Sequence, residues 1–503
     1  MMNLKSNFVS GSCDGRYALQ YLLSPRGLIN SNLQYRKCCS FSILRRRMMR
    51  VYCESTTKEM QIRKCSPFLE SGLLSGKDVL PSTEWNAVPD IWRASAEKYG
   101  DRVALVDPYH DPPVDLTYKQ LEQEIKNFSE GLRVIGVKPE EKVALFADNS
   151  CRWLIADQGI MSTGAINVVR GSRSSPEELL LIYNHSDSVA LVVDNPEMYN
   201  RLTETFGSRA TIKFVVLLWG EKSSITSEVE GLPIYSYREI VDLGHERLTA
   251  LLSPGARQQY TYEAISSDDV ATLMYTSGTT GNPKGVMLTH KNLLHQISNL
   301  WDIVPAIPGD RFLSMLPSWH AYERSCEYFI FTYGVEQVYT TVKNLKEDLR
   351  RYQPHYLISV PLVYETLYSG IQKQIAASSP IRKLVALLFL RISMAYMEAK
   401  RIYEGKCLTR SPEQQAFFAS LLDLLWARVI AVLLWPLHML ARKIVYSKIH
   451  ATIGISKAGI SGGGSLPIHI DTFFEAIDIK LQNGYGLTET SPVVAARRPN
   501  CNT

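Results

Sequence analysis

Residues 275–285 read Y-T-S-G-T-T-G-N-P-K-G, a stretch dense in anion-binding chemistry. Thr276, Ser277, Thr279 and Thr280 offer hydroxyl donors, and Lys284 adds a point charge. Gly278, Gly281 and Gly285 let the backbone turn tightly and aim its N–H groups inward. Such a loop suits a polyphosphate. It is not a Walker A loop, which needs G-x-x-x-x-G-K-[ST], because Pro283 precedes this Lys and Gly285 follows it. Apolar runs at 270–274 and 286–288 flank the segment, so it is predicted to join two strands. An ordinary Ser/Thr/Gly-rich surface turn rarely sets a Lys between Pro and Gly amid so many donors.

Three further segments carry candidate groups. Residues 316–324, L-P-S-W-H-A-Y-E-R, place His320 and Glu323 three apart, a spacing that would also suit a helical metal pair. A lone His and Glu make a weak metal site, and H-E-x-x-H does not occur. Residues 461–467, S-G-G-G-S-L-P, contain Gly462, Gly463 and Gly464. Residues 485–490, Y-G-L-T-E-T, contain Tyr485, Gly486, Thr488 and Glu489. By themselves Tyr485 reads as an aromatic in a turn and Glu489 as a solvated acid. No G-x-S-x-G elbow and no G-x-G-x-x-G fingerprint occurs. The nine cysteines are odd in number and lack a C-x-x-C, which supports neither a zinc site nor a disulfide framework and fits a reducing compartment.

The elements that must position these groups read as α/β. A helix is predicted over 117–136, from a Thr117 cap to Gly136, ahead of a buried strand at 142–147. Further strands are expected at 165–169, 189–193 and 213–219, with helical patterns between them. That alternation predicts a parallel sheet with helices on both faces. Residues 371–453 read as a helical insertion containing apolar pieces at 384–390 and 421–440. Twenty residues could just span a bilayer. Asp423, Arg428 and Pro436 interrupt the run, and each charge costs about 2.5–3.5 kcal/mol at membrane depth. A hairpin packed on the body or lying on a membrane surface is therefore expected instead of a span. Arg401, Arg442, Lys443 and Lys448 flank it and would suit an anionic surface. An ordinary helical insertion is the competing reading.

Composition bounds the whole. The chain has 503 residues, 45% of them apolar and 21% charged, which excludes disordered, collagen-like and disulfide-stapled classes. Residues 1–53 hold nine basic groups and one acid, so +8 of charge sits there and the remaining 450 residues sum to −3 against a total of +5. The body therefore has no excess that suggests nucleic-acid binding. An Arg-rich, Ser-rich, acid-poor leader describes an organelle transit peptide over 1–53, with a retained basic arm as the alternative. Residues 54–84 read as a junction and 85–503 as the globular part.

In this order, residues 275–285, 461–467 and 485–490 resemble the signature motifs of the adenylate-forming (AMP-binding) superfamily. The resemblance covers about residue 85 to the end of the chain. The H-x-x-E-R element at 320–324 resembles long-chain fatty acyl synthetases. With the leader, the insertion and residues 169–195, the chain resembles plant plastid long-chain acyl–acyl-carrier-protein synthetases, and long-chain acyl-CoA synthetases are the near rival. The resemblance implies the fold of the family's large N-terminal domain, with stacked parallel-sheet subdomains covered by helices. It implies ATP and Mg²⁺, a long-chain fatty acid, and acyl carrier protein or coenzyme A as thiol acceptor.

By the same resemblance, Thr276, Ser277, Gly278, Thr279, Thr280, Gly281 and Lys284 would hold the β- and γ-phosphates. Tyr485 and Gly486 would meet adenine, Thr488 the α-phosphate, and Glu489 the Mg²⁺. Gly462, Gly463 and Gly464 would admit nucleotide and acyl group, and His320 would line their junction. Members of the family continue past the last motif with an Asp for the ribose, a hinge, and a small domain carrying a catalytic Lys. No residue here takes those roles, so the chain is expected to be truncated, with the small domain absent, ATP affinity weakened and ligase turnover low. A non-catalytic acyl- or nucleotide-binding protein is the alternative from another class. A chloroplast location is expected ahead of a mitochondrial one, with envelope association through residues 371–453.

Overall fold

The computed structural model describes residues 85–499 except 228, 253–264, 277–282 and 407–416. The expected transit peptide and junction lie outside the described residues. The strands are β1 (Val103–Asp107), β2 (Val114–Thr117), β3 (Lys142–Phe146), β4 (Ile166–Arg170), β5 (Ser188–Val193), β6 (Val215–Leu217), β7 (Ile234–Ser236) and β8 (Val270–Thr276). They continue with β9 (Lys284–Thr289), β10 (Arg311–Ser314), β11 (Glu336–Tyr339), β12 (Tyr356–Ser359), β13 (Ala458–Ser461), β14 (Lys480–Gly486) and β15 (Val493–Ala496).

Two sheets result. The first runs β7-β6-β5-β3-β4-β8-β9 and is parallel except for the β8–β9 hairpin. The second runs β15-β14-β13-β12-β10-β11-β1-β2, parallel through its centre with antiparallel pairs at both edges. Central strands are covered on both faces, so Val143 through Phe146 are all buried. This is why they read as apolar runs and not as alternating patterns.

Local signals predict most of this correctly. Thr117 caps the helix Tyr118–Val134 through a reciprocal capping box with Gln120. The strand expected at 213–219 is regular only over Val215–Leu217, although backbone pairing with the β5 segment continues past both ends, from Lys213 N–H to Val189 O and from Leu218 N–H to Val193 O. Between β12 and β13 the chain is helical as expected, with helices Pro361–Ala376, Pro380–Tyr403 and Phe417–Ala441, a π-helical turn Arg442–Tyr446, and helix Ser447–Ile453. Two of the four basic residues assigned to an outer surface face the body instead. Arg401 pairs with Glu475, and Arg442 reaches Asp478 at 3.2 Å.

Candidate functional site

In open α/β sheets, ligands sit beyond the carboxyl ends of parallel strands. Both sheets here present such ends to one region. The segment after β3 is joined to the loop after β10 by Asn149, whose Oδ1 accepts from Ser318 N–H at 2.7 Å and whose Nδ2 donates to Leu316 O. At the end of β4, the Arg170 guanidinium stands 4.9 Å from the centre of the Trp319 ring. Gly171 packs so closely that a Cβ there would lie 2.5 Å from Trp319 Nε1.

The β8–β9 hairpin pairs Thr276 with Lys284 and Tyr275 with Gly285, so the phosphate-type loop does connect two strands. Ser277, Gly278, Thr279, Thr280 and Gly281 lie outside the described residues. The two described flanks converge as expected. Thr276 lines a cleft with Arg170, Glu178, Tyr275 and Pro283, and Lys284 is exposed with no ion pair among the described residues. His185 Nδ1 lies 2.8 Å from the Tyr275 hydroxyl and steadies this wall.

β13 and β14 run side by side, with Ser461 opposite Asn483. The glycine segment and Tyr485 therefore leave the sheet from neighbouring strands. Gly462 has no room for a side chain, since a Cβ would come 2.8 Å from the Tyr322 ring, and Gly463 has φ +76°. Tyr485 is 63% exposed. Gly486 is forced by the β14–β15 turn, where a Cβ would strike Pro492 O. Thr488 is buried and Glu489 exposed on the turn Thr488–Thr490, which rests against β9 and so beside the hairpin.

The H-x-x-E-R element divides. His320 caps helix Ala321–Phe331, its Nδ1 accepting from Tyr322 N–H at 3.3 Å, so the neutral ring carries its proton on Nε2. It keeps contact with solvent. The atoms crowding it and the Arg170 guanidinium disfavour the imidazolium and lower its pKa. Glu323 and Arg324 point inward and are fully buried. Arg324 pairs with Asp157, and its Nε donates to the Tyr328 hydroxyl at 2.6 Å. Glu323 accepts from Ser314 Oγ at 2.5 Å. Desolvation first, then the neighbouring Glu327, raises the Glu323 pKa well above the usual carboxylate range. A His320–Glu323 metal pair is thereby excluded, because the two side chains diverge. Among the described residues no cluster of His, Cys, Asp or Glu could hold a metal by itself.

The residues present fit a nucleotide and a divalent cation. Ser461 Oγ and Asn483 Oδ1 are buried at the strand ends without a partner among the described residues, beside a cradle that Gly462 and Gly463 keep open. Glu489 has no ion pair among the described residues, which suits a cation taking most of its ligands from phosphate oxygens and water. The sequence reading missed Arg170, Trp319 and Tyr322. Arg170 ends a strand expected to be parallel, and the carboxyl-end rule could have singled it out.

Residues 92–503 match the family model "AMP-binding enzyme". The chain is 67% identical over 456 residues to the chloroplastic long-chain-fatty-acid–[acyl-carrier-protein] ligase AEE15 of Arabidopsis thaliana, covering 91% of this chain and 62% of that protein. It is likewise 67% identical to the probable acyl-activating enzyme 16, chloroplastic, of the same plant, covering 91% of this chain and 63% of that one. This chain thus spans somewhat under two thirds of the length of either relative. In fold it is similar to the crystal structure of the long-chain-fatty-acid-CoA ligase FadD1 from Archaeoglobus fulgidus. The TM-score is 0.56 at 18% identity, covering 82% of this chain and 67% of that one.

Proposed function

The chain belongs to the AMP-binding enzyme family, and we propose that its site activates a long-chain fatty acid with ATP and passes the acyl group to the thiol of acyl carrier protein. In the first step the carboxylate oxygen bonds to the α-phosphorus of ATP as the bond to pyrophosphate breaks. In the second the thiol sulfur takes the acyl carbon, AMP leaves, and the thiol proton is released. The observation carrying this reading is the convergence of the Thr276–Lys284 hairpin, the glycine cradle and the Thr488–Glu489 turn. The acceptor follows the name of the 67% identical ligase. Coenzyme A is the second reading, since more distant relatives are named long-chain-fatty-acid–CoA ligases. The relatives' chloroplastic names also favour a plastid location.

Catalysis here would be electrostatic. Lys284 and the loop hydroxyls would meet the charge gathering on the departing pyrophosphate. Mg²⁺, held in part by Glu489, would supply Lewis-acid neutralisation of the phosphate oxygens. His320 is neutral near pH 7 and can donate its Nε2 proton in a hydrogen bond at the acyl–phosphate junction. Tyr485 offers a face for the adenine ring.

Fatty-acid-dependent ATP–pyrophosphate exchange by the full chain tests the first step, with palmitate, Mg²⁺ and Lys284→Ala as control. Exchange should fall by roughly 10²–10³ in the variant. Exchange equal in both, or none from folded wild-type protein, would overturn the reading. Thioester formation with acyl carrier protein against coenzyme A decides the acceptor.

A further inference from the structure

The hairpin of helices Pro380–Tyr403 and Phe417–Ala441 sorts its residues inside out. Against helix Pro380–Tyr403, helix Phe417–Ala441 buries Ala427, Ala431, His438 and Ala441 among its described side chains. Leu422, Trp426 and Leu433 are 62%, 63% and 66% exposed, and Leu425, Val432 and Leu440 also face outward. The buried seam is polar as well as small. His438 Nδ1 lies 2.9 Å from Ser393 Oγ, to which the Tyr446 hydroxyl donates at 2.7 Å, and Tyr396 stacks on His438 with ring centres 4.7 Å apart. Small residues and hydrogen bonds between helices, with large apolar residues outside, are how helices pack in lipid.

We propose that this hairpin docks the protein on one leaflet of a bilayer bearing anionic headgroups, with helix Phe417–Ala441 lying in the interface and not crossing it. Among the described residues one helix, Leu422–Ile453, is long and apolar enough to span, and most of it is not buried in the protein. Two observations favour the flat position. At 100° per residue, Asp423 and Arg428 fall roughly 100–120° to either side of the centre of the apolar arc, where their charges reach water and headgroups. Helix Pro380–Tyr403 also packs on helix Ile468–Ala476 of the body, and the ion pairs Arg401–Glu475 and Arg442–Asp478 hold the hairpin to the end of that helix.

The lipid sign follows from charge. Arg382, Lys383, Arg391, Lys443 and Lys448 are exposed along the apolar face without an ion pair among the described residues. A polybasic rim of this kind is drawn to the negative surface of an anionic leaflet. A second copy of the chain meeting this face about a two-fold axis would set that rim against itself. The inference does not depend on the proposed activity, and its test leaves that activity out.

Flotation of the full chain with vesicles of phosphatidylcholine, alone or with an equal part of phosphatidylglycerol, reads the docking. The leader is basic and would bind anionic vesicles by charge alone, so each arm is run at low and at high salt. Wild type should float with the anionic vesicles and keep a bound fraction at high salt. The exposed-site variant Leu422→Glu/Trp426→Glu/Leu433→Glu should lose at least about tenfold in partitioning at high salt, with its circular dichroism unchanged. Brominated lipid should quench wild-type fluorescence more than that of Trp426→Phe/Trp435→Phe, a pair that does not challenge the fold. Equal flotation of the triple variant, equal quenching, or self-association through this face without flotation would each overturn the proposal.

Discussion

In β3, Val143, Ala144, Leu145 and Phe146 are sealed from solvent, whereas in helix Phe417–Ala441 the sealed positions are alanines and a histidine and the leucines face outward. The body also does the converse with charge, enclosing Arg324, Asp157, Glu323 and Glu327 completely. Apolar character alone therefore does not place a residue inside this protein. What decides is whether its surroundings satisfy it: Asp157, Tyr328 and Thr272 ring the Arg324 guanidinium, while nothing among the described residues covers Leu433. The body is an α/β fold with its apolar strands enclosed. Its hairpin reverses that arrangement, with small residues inward and large apolar ones outward.

The comparison breaks most readily at Arg324. Arg324→Met leaves the Asp157 carboxylate buried without its cation, and urea unfolding should show a loss of about 3–5 kcal/mol. A loss under about 1 kcal/mol would mean the buried network is not what organises the interior beneath the site.

A smaller effect is expected at Gly462, where Ala must push the Tyr322 ring and should cost about 1–3 kcal/mol. The same change in a Tyr322→Ala background should cost much less, and a double-mutant cycle checks the coupling.

Next comes a dependence on pH. Desolvation pushes the Glu327 carboxyl up to about 7 from an ordinary 4.5, and Glu323 is shifted the same way. Folded protein then binds more protons than unfolded protein between those values. The contribution of Glu327 to stability is therefore full below 4.5 and is lost as pH rises through about 7. Glu327→Gln should flatten that slope in unfolding measured across the window, and an unchanged slope would remove Glu327 as its source.

The smallest effect belongs to the hairpin. Leu433→Glu should alter stability in lipid-free buffer by within about 0.5 kcal/mol, because its side chain is already in water there. A loss as large as that of Arg324→Met would erase the distinction between the two regions.

Much of the framework was legible in the residues. The Thr117 cap, the apolar runs of β3, β4, β5 and β8, and a loop joining two strands all follow from local chemistry, and the structure places them within a few residues. The signature segments drew attention to Lys284, Tyr485 and Glu489, all exposed, and the structure sets the turn Thr488–Thr490 against β9, a neighbourhood that their separation in sequence conceals. Arg170, Trp319 and Tyr322 were not legible. Their role depends on which strand ends face one another, and a single chain read in order does not state that.

Within residues 320–324 the division is sharpest. The order H-A-Y-E-R and the turn that makes His320 a helix cap are local properties, set by residue type and spacing. That His320 meets solvent while Glu323 and Arg324 enter the core was decided by packing, since the partners of Arg324 come from residues 157, 272 and 328. The hairpin repeats this at larger scale. Its helices and their apolar content follow from composition, but only the contact with helix Pro380–Tyr403 selected which face is left outward. Local free energies choose elements, and burial of a given face is a long-range choice, settled when two elements far apart in sequence exclude water from each other.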